Sequence, residues 1–263
     1  MIKRICSLVT ACTVFLTSCL DTEEKIVINK NNSGDYTLSI DMSKLLTLMD
    51  QMGGAKDSAK LPEKKDSTLY FKAYVDTSTA LTAKEKEMYR DGSLRMQVDE
   101  DAKQMKVVIH LPFKSIAQLP EIRSSYMAVI DKLNISNKLN NKSDGDNGMS
   151  DAEPDLSKNK DMLNPVQQAY SFTATPGKIA NTLTNRQLIT DKVTNDSTMQ
   201  MMQQMSLMMG DMNYKTVIVL PSAVKKYTGN QSILSNDKKT ITFLNTFTDM
   251  LNKPEKAGYS VEY

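Results

Sequence analysis

Leu94-Arg95-Met96-Gln97-Val98 and Met105-Lys106-Val107-Val108-Ile109-His110-Leu111, joined across Asp99-Glu100-Asp101, alternate apolar and polar side chains along both arms. Alternation with period two turns successive side chains to opposite faces, so each arm reads as a strand with one buried face and the acidic link as a hairpin turn. Leu94, Met96 and Val98 answer Met105, Val107, Ile109 and Leu111 across the pair. His110 falls on the other face. As the only histidine of the chain it can join neither a multi-histidine metal site nor an HExxH motif, and it reads as a solvent-facing strand residue before it reads as a lone catalytic base.

The pattern repeats on either side. Residues 26–30 and 36–40 form a second hairpin around Asn31-Asn32-Ser33-Gly34-Asp35, with Tyr36, Leu38 and Ile40 on one face. Asp41 then caps a helix with Met42, Leu45, Leu46, Met49 and Met52 at helical spacing, stopped by Gly53-Gly54. Residues 69–75 read as a strand with Leu69, Phe71, Ala73 and Val75 facing one way, and residues 82–89 as a short charged helix. A longer helix over 120–133 carries the stripe Ile122, Tyr126, Val129, Ile130 and Leu133, with Pro120 in its first turn. Residues 134–164 are dense in Asn, Asp, Lys, Ser and Gly, which predicts a mobile insertion or linker.

Beyond it lie strands at 169–174, 178–183, 215–220, 239–244 and 259–263, a helix at 197–209 and a helical turn at 246–251. Hairpins and helices recur without strict βαβ alternation. The expected fold is therefore α+β, with a largely antiparallel sheet in one domain whose halves are residues 26–133 and 165–263.

The N-terminal stretch has a different logic. Lys3 and Arg4 precede an apolar run over 5–16 that is too short to span a bilayer, which needs about 18 residues. Leu16-Thr17-Ser18-Cys19 follows. Residues 1–18 read as a signal peptide, and the ending resembles the lipobox of bacterial lipoproteins, in which small residues precede a cysteine that becomes acylated. The resemblance implies lipidation at Cys19, with residues 19–25 as a polar, acidic tether. Leu20 in place of an aspartate implies the outer membrane, and the acidic run Asp21-Thr22-Glu23-Glu24 resembles surface-export signals of Bacteroidetes-type lipoproteins.

Removal of Lys3 and Arg4 takes away the whole formal charge of +2. A neutral chain without a basic block argues against nucleic acid as a partner. Cys6 and Cys12 leave with the signal and Cys19 is acylated, so neither a disulfide nor a reactive thiolate is expected.

Methionine is the unusual residue, with 18 in the chain. On a helical wheel Met201, Met202, Met205, Met208, Met209 and Met212 fall within one arc of about 120°. Such a stripe suits a deformable packing face, and equally a groove for a flexible apolar ligand, because unbranched thioethers adapt to irregular shapes. Met201, Met205, Met208 and Met212 are the candidate binding residues. Copper(I) would suit thioethers, but no Cys or nearby His completes such a site.

Other motifs carry less. Ser222 and Lys225 have the Ser-x-x-Lys spacing of serine acyltransferases without its companion motifs, and Ser157 with Lys160 lies in the polar insertion. No P-loop, GxGxxG or GxSxG pattern is present. Around Asp144-Gly145-Asp146-Asn147-Gly148, placing Gly145 at the sixth position of a calcium loop puts Lys142 among the ligands, which argues against that ion. Asp57-Ser58-Ala59, Asp66-Ser67-Thr68 and Asp196-Ser197-Thr198 resemble O-glycosylation acceptors of Bacteroidetes, the first two placed in an exposed polar loop.

Tyr214-Lys215-Thr216-Val217-Ile218-Val219-Leu220-Pro221, followed by Ser235-Asn236-Asp237-Lys238-Lys239-Thr240-Ile241-Thr242-Phe243, resembles the LppM-like lipoprotein domains. Ser222 stands where that family has a glycine and Phe243 where it has a tryptophan. The resemblance covers about the last fifth of the chain and implies an α+β domain on a lipid anchor, with lipid or glycolipid binding in some relatives. Together these readings lead to an outer-membrane lipoprotein without a cofactor or catalytic residues, membrane-bound through its N-terminal lipid. Its domain is expected to bind an apolar or lipid ligand, or an envelope protein. The alternative is a structural or assembly lipoprotein with no small-molecule ligand.

Overall fold

The computed structural model describes residues 21–44, 47, 64–135 and 166–263. Its elements are β1 (Asp21–Ile28), β2 (Gly34–Asp41), β3 (Lys64–Tyr70), α1 (Lys72–Thr77), α2 (Ala83–Tyr89), β4 (Ser93–Asp99), β5 (Gln104–Phe113), α3 (Leu119–Lys132), β6 (Tyr170–Thr175), β7 (Lys178–Leu183), α4 (Arg186–Asn195), α5 (Ser197–Met209), β8 (Asn213–Val219), β9 (Lys226–Gly229), β10 (Ser232–Leu234), β11 (Thr240–Thr246), α6 (Phe247–Asn252) and β12 (Tyr259–Glu262). The fold is α+β, as the hairpin pattern requires.

Eight strands form the larger sheet in the order β10-β11-β8-β1-β2-β5-β4-β3, and four form the smaller in the order β6-β7-β12-β9. Every neighbouring pair is antiparallel except β1 and β8, which run parallel with Asp21 opposite Asn213. The alternation of β4 and β5 is realised as read: Leu94, Met96, Val98, Met105, Val107, Ile109 and Leu111 are all buried. Helix α3 lays Leu119, Ile122, Tyr126, Val129 and Ile130 into the core, where the Tyr126 ring meets Tyr36 of β2. The two sheets meet where Phe243 of β11 stacks on Tyr259 of β12, ring centroids 4.6 Å apart.

Local chemistry sets the helix starts. Thr82 and Glu85 exchange the reciprocal bonds of a capping box ahead of α2, Asp196 caps α5 and Thr246 caps α6, each satisfying amide donors that a first turn leaves open.

Three expectations change. Residues 21–25 are not a solvated tether: they form the first half of β1, between β2 and β8, because Thr22 and Glu24 continue the inward alternation of Ile26 and Ile28. The stretch read as a strand over 69–75 splits after Tyr70 into the end of β3 and α1. Phe71 and Val75 share a face under either period, and the exposed Ala73 shows that the helical one applies. Asp66-Ser67-Thr68 is strand rather than loop, with Asp66 bonded to Arg95 across β3 and β4. Most of the helix expected after Asp41, the insertion from residue 136 to 164, Asp57-Ser58-Ala59 and the signal peptide with Cys19 lie outside the described residues.

Candidate functional site

β1 turns Thr22 and Glu24 inward, and α3 brings Arg123 down onto them from mid-chain. The guanidinium donates from Nε to Glu24 Oε1 at 2.5 Å and from Nη2 to Oε2 at 3.3 Å. Its third nitrogen, Nη1, donates to Asn181 Oδ1 of β7 at 3.1 Å. The Phe172 ring of β6 lies under the guanidinium, 4.6 Å from its carbon, a cation–π contact strengthened by the absence of solvent. One arginine thus ties together both sheets. Asn181 donates onward to the Ala257 carbonyl, and Gln167 donates to the Arg123 carbonyl at 2.7 Å.

Both charges are buried, so each depends on the other for the stabilisation that water would give. Burial works against the charged Arg123, but the Glu24 carboxylate outweighs it and holds its pKa above the ordinary arginine value. Burial, and secondly Glu24, push Tyr36, Tyr126 and Tyr259 above the ordinary tyrosine value. These phenols are therefore neutral donors, not bases.

A cavity of about 60 Å³ opens beside the ion pair, lined among others by Thr22, Glu24, Tyr36, Arg123, Asn245 and Tyr259. One water-sized group takes roughly 10–15 Å³ of such a space, so it accommodates a few small polar groups. Thr22 Oγ1, Asn245 Oδ1 and the Tyr259 hydroxyl are buried at this place without a protein partner among the described residues. The arrangement offers mixed hydrogen-bond donors and acceptors around a charge pair whose two members already bond each other. It recognises polarity rather than an acyl chain.

The methionine helix is elsewhere. α5 exists with its expected limits, but the interior meets it along one edge of the methionine arc and not along its middle. Met202, with Met199, is fully buried, Met205 is half-buried, and Met201 and Met208 are 45% and 68% exposed. Met212 is not on the helix. The chain turns at Gly210, with φ of +90°, and Met212 is buried beyond it. The four candidate residues Met201, Met205, Met208 and Met212 therefore share no single face. Leu207 of the same helix is 87% exposed. Cys19 lies outside the described residues.

His110 keeps the outer face of β5, where Nε2 meets Asp35 Oδ1 at 2.8 Å across a half-exposed diagonal of β2 and β5. Ser222 and Lys225 follow β8 without helical structure, so the spacing that would place a lysine one turn from a nucleophile is not realised. Among the described residues no group of three or more His, Cys, Asp or Glu is placed to hold a metal, and no helix is long and apolar enough to cross a membrane.

Sequence reasoning missed Glu24, Arg123 and Asn181. A signal existed for two of them. Glu24 stands in alternation with Ile26 and Ile28, and Arg123 shares helical spacing with Leu119, Tyr126 and Ile130, so both are charges written at core positions.

No known protein family matches the chain, and no curated protein matches it. A solved structure, the folded domain of LppM from Mycobacterium tuberculosis, aligns over 95% of this chain and 92% of that one, with 8% identity and a TM-score of 0.33. A likeness of that size transfers no residue, ligand or anchor to this chain.

Proposed function

We propose that the chain is an envelope lipoprotein, acylated on Cys19 and held at the outer membrane, whose α+β domain is a non-enzymatic binding module for an apolar or lipid partner. The anchor rests on Lys3, Arg4, the short apolar run and Leu16-Thr17-Ser18-Cys19. The binding role is carried by one observation: Met201, Leu207 and Met208 stand exposed on a helix whose sequence, Ser197–Met209, contains no charged residue. The interior covers only the side of Met199 and Met202, so the exposed side presents Met201, Leu207 and Met208, with Gln200 and Gln204 between them, as an uncharged contact face.

Lipid extraction and native mass spectrometry of the purified chain test the ligand role. A co-purifying lipid, or saturable uptake of a fluorescent lipid that is weakened in Leu207→Asp, is the expected result. Absence of both refutes the ligand role and leaves a structural or assembly lipoprotein.

A further inference from the structure

The anchor and the exposed face of α5 lie at the same end of the larger sheet. β1 begins at Asp21, two residues after Cys19, and two residues span at most about 7 Å. β8 runs parallel to β1 and begins beside it, with Asn213 donating to Asp21 Oδ1 at 3.0 Å. α5 ends at Met209, just before that start. Asp211 Oδ1 fixes the helix end there, accepting from the Ser206 hydroxyl at 3.1 Å and from the amides of Met212 at 3.0 Å and Thr248 at 3.1 Å. Ser206 immediately precedes Leu207 and Met208, so their placement follows from the carboxylate that holds the helix at the β8 start.

We infer that the occupant of this face is the bilayer in which Cys19 is anchored: Leu207, Met208 and Met201 enter its interfacial region as a second contact. The inference rests on the proposed lipidation and names the lipid partner of the same helix. Because only Leu20 separates Cys19 from Asp21, acyl chains on Cys19 would draw this end of the domain onto the membrane. Six large apolar side chains are exposed among the described residues, and three of them fall within residues 201–208 of this one helix. Charges of both signs stand at this end, with Lys106 opposite Asp41 and Lys215 bonded to Glu23 beside Asp21 and Asp211, so no block of one sign draws it to anionic headgroups. The contact is therefore apolar, formed on neutral lipid and insensitive to salt. Its consequence is orientation: the domain stands on the start of β1 and β8 and presents the 29–33 turn to the aqueous side.

The chain contains no tryptophan, so Leu207→Trp supplies a single reporter at the contact. Tyr70→Trp, at the opposite end of edge strand β3 and 70% exposed, is the control. Each lipidated full-length variant is reconstituted into phosphatidylcholine vesicles with brominated acyl chains, and acylation of Cys19 is read separately from the mass of the N-terminal peptide. The expected result is emission at shorter wavelength and bromolipid quenching for Leu207→Trp, unchanged at high salt, with neither for Tyr70→Trp. Acylated protein in which both reporters behave alike overturns the contact while leaving the anchor standing. A wavelength shift without bromolipid quenching that follows protein concentration assigns the face to a second copy and also overturns it. An unacylated Cys19 overturns the anchor and this inference with it. Met208→Trp repeats the test if Leu207→Trp does not fold.

Discussion

Arg123 closes a two-point ion pair on Glu24, Nε to Oε1 at 2.5 Å and Nη2 to Oε2 at 3.3 Å, joining mid-chain α3 to the strand that begins two residues after Cys19. Removing one partner strands the other in a buried place. Arg123→Met or Glu24→Leu alone is expected to cost about 3–5 kcal/mol of stability. The double variant should cost clearly less than the two singles together, because it leaves no uncompensated charge. Denaturant titrations of the four proteins measure this, and strict additivity would contradict the pairing.

Acid should destabilise the fold through defined carboxylates on α1, α2 and β3. Lys132, and then the Thr82 amide, hold Glu85 down at about 2 against an ordinary 4.5. Arg90 and Lys72 likewise depress Asp76, and Arg95 depresses Asp66. A carboxylate depressed in the folded state binds fewer protons there than in the unfolded state, so its contribution is complete above pH 4.5 and is lost as pH falls toward 2. Tm should therefore drop through that window. Lys132→Met should make the drop shallower; an unchanged slope would remove Glu85 from the account.

Mild peroxide should divide the methionines of one helix. Met201 and Met208 are accessible and Met199 and Met202 are enclosed, so peptide mass spectrometry of the unlipidated soluble chain should find sulfoxide first at 201 and 208, with Met212 also protected. Comparable rates at 199 and 201 would show that α5 does not pack on the Met199–Met202 side.

Gly34 ends the first hairpin turn where the strands come closest. A Cβ at that position would stand 1.8 Å from the Val27 carbonyl oxygen and 2.6 Å from the Phe113 ring. Gly34→Ala must open the β1–β2 end against β5, and the expected loss is about 3 kcal/mol, at the upper end of overpacking changes. A Tm within a degree of the parent would place the turn differently.

The fold was legible where packing follows local period. The hairpins 94–111 and 26–40, the short helix at 82–89 and the α3 stripe are all patterns of near neighbours. What escaped depends on distant partners. Asp21-Thr22-Glu23-Glu24 looks like solvated tether because nothing local says that β8, nearly 200 residues later, pairs with it in parallel, or that Arg123 neutralises Glu24. β9 and β10 are only four and three residues long, and α4 buries a single residue, Ile189, so no apolar stripe marks it in the sequence. The α5 wheel gave the helix but not its orientation, since an arc of methionines marks where packing is possible and the neighbouring elements decide which edge is covered. Gly210 then removed Met212 from the arc altogether.

Cys19, acylated as proposed, would hold the domain to the membrane by a link of only two residues. Mass spectrometry of the N-terminal peptide, run on membrane and soluble fractions of cells expressing the full chain or Cys19→Ser, tests it most directly. The account predicts a diacylglyceryl-modified Cys19 at the new N-terminus in the membrane fraction, and unacylated protein outside that fraction for Cys19→Ser. A mature chain that begins elsewhere, or that remains in the membrane fraction equally with serine at position 19, would contradict it.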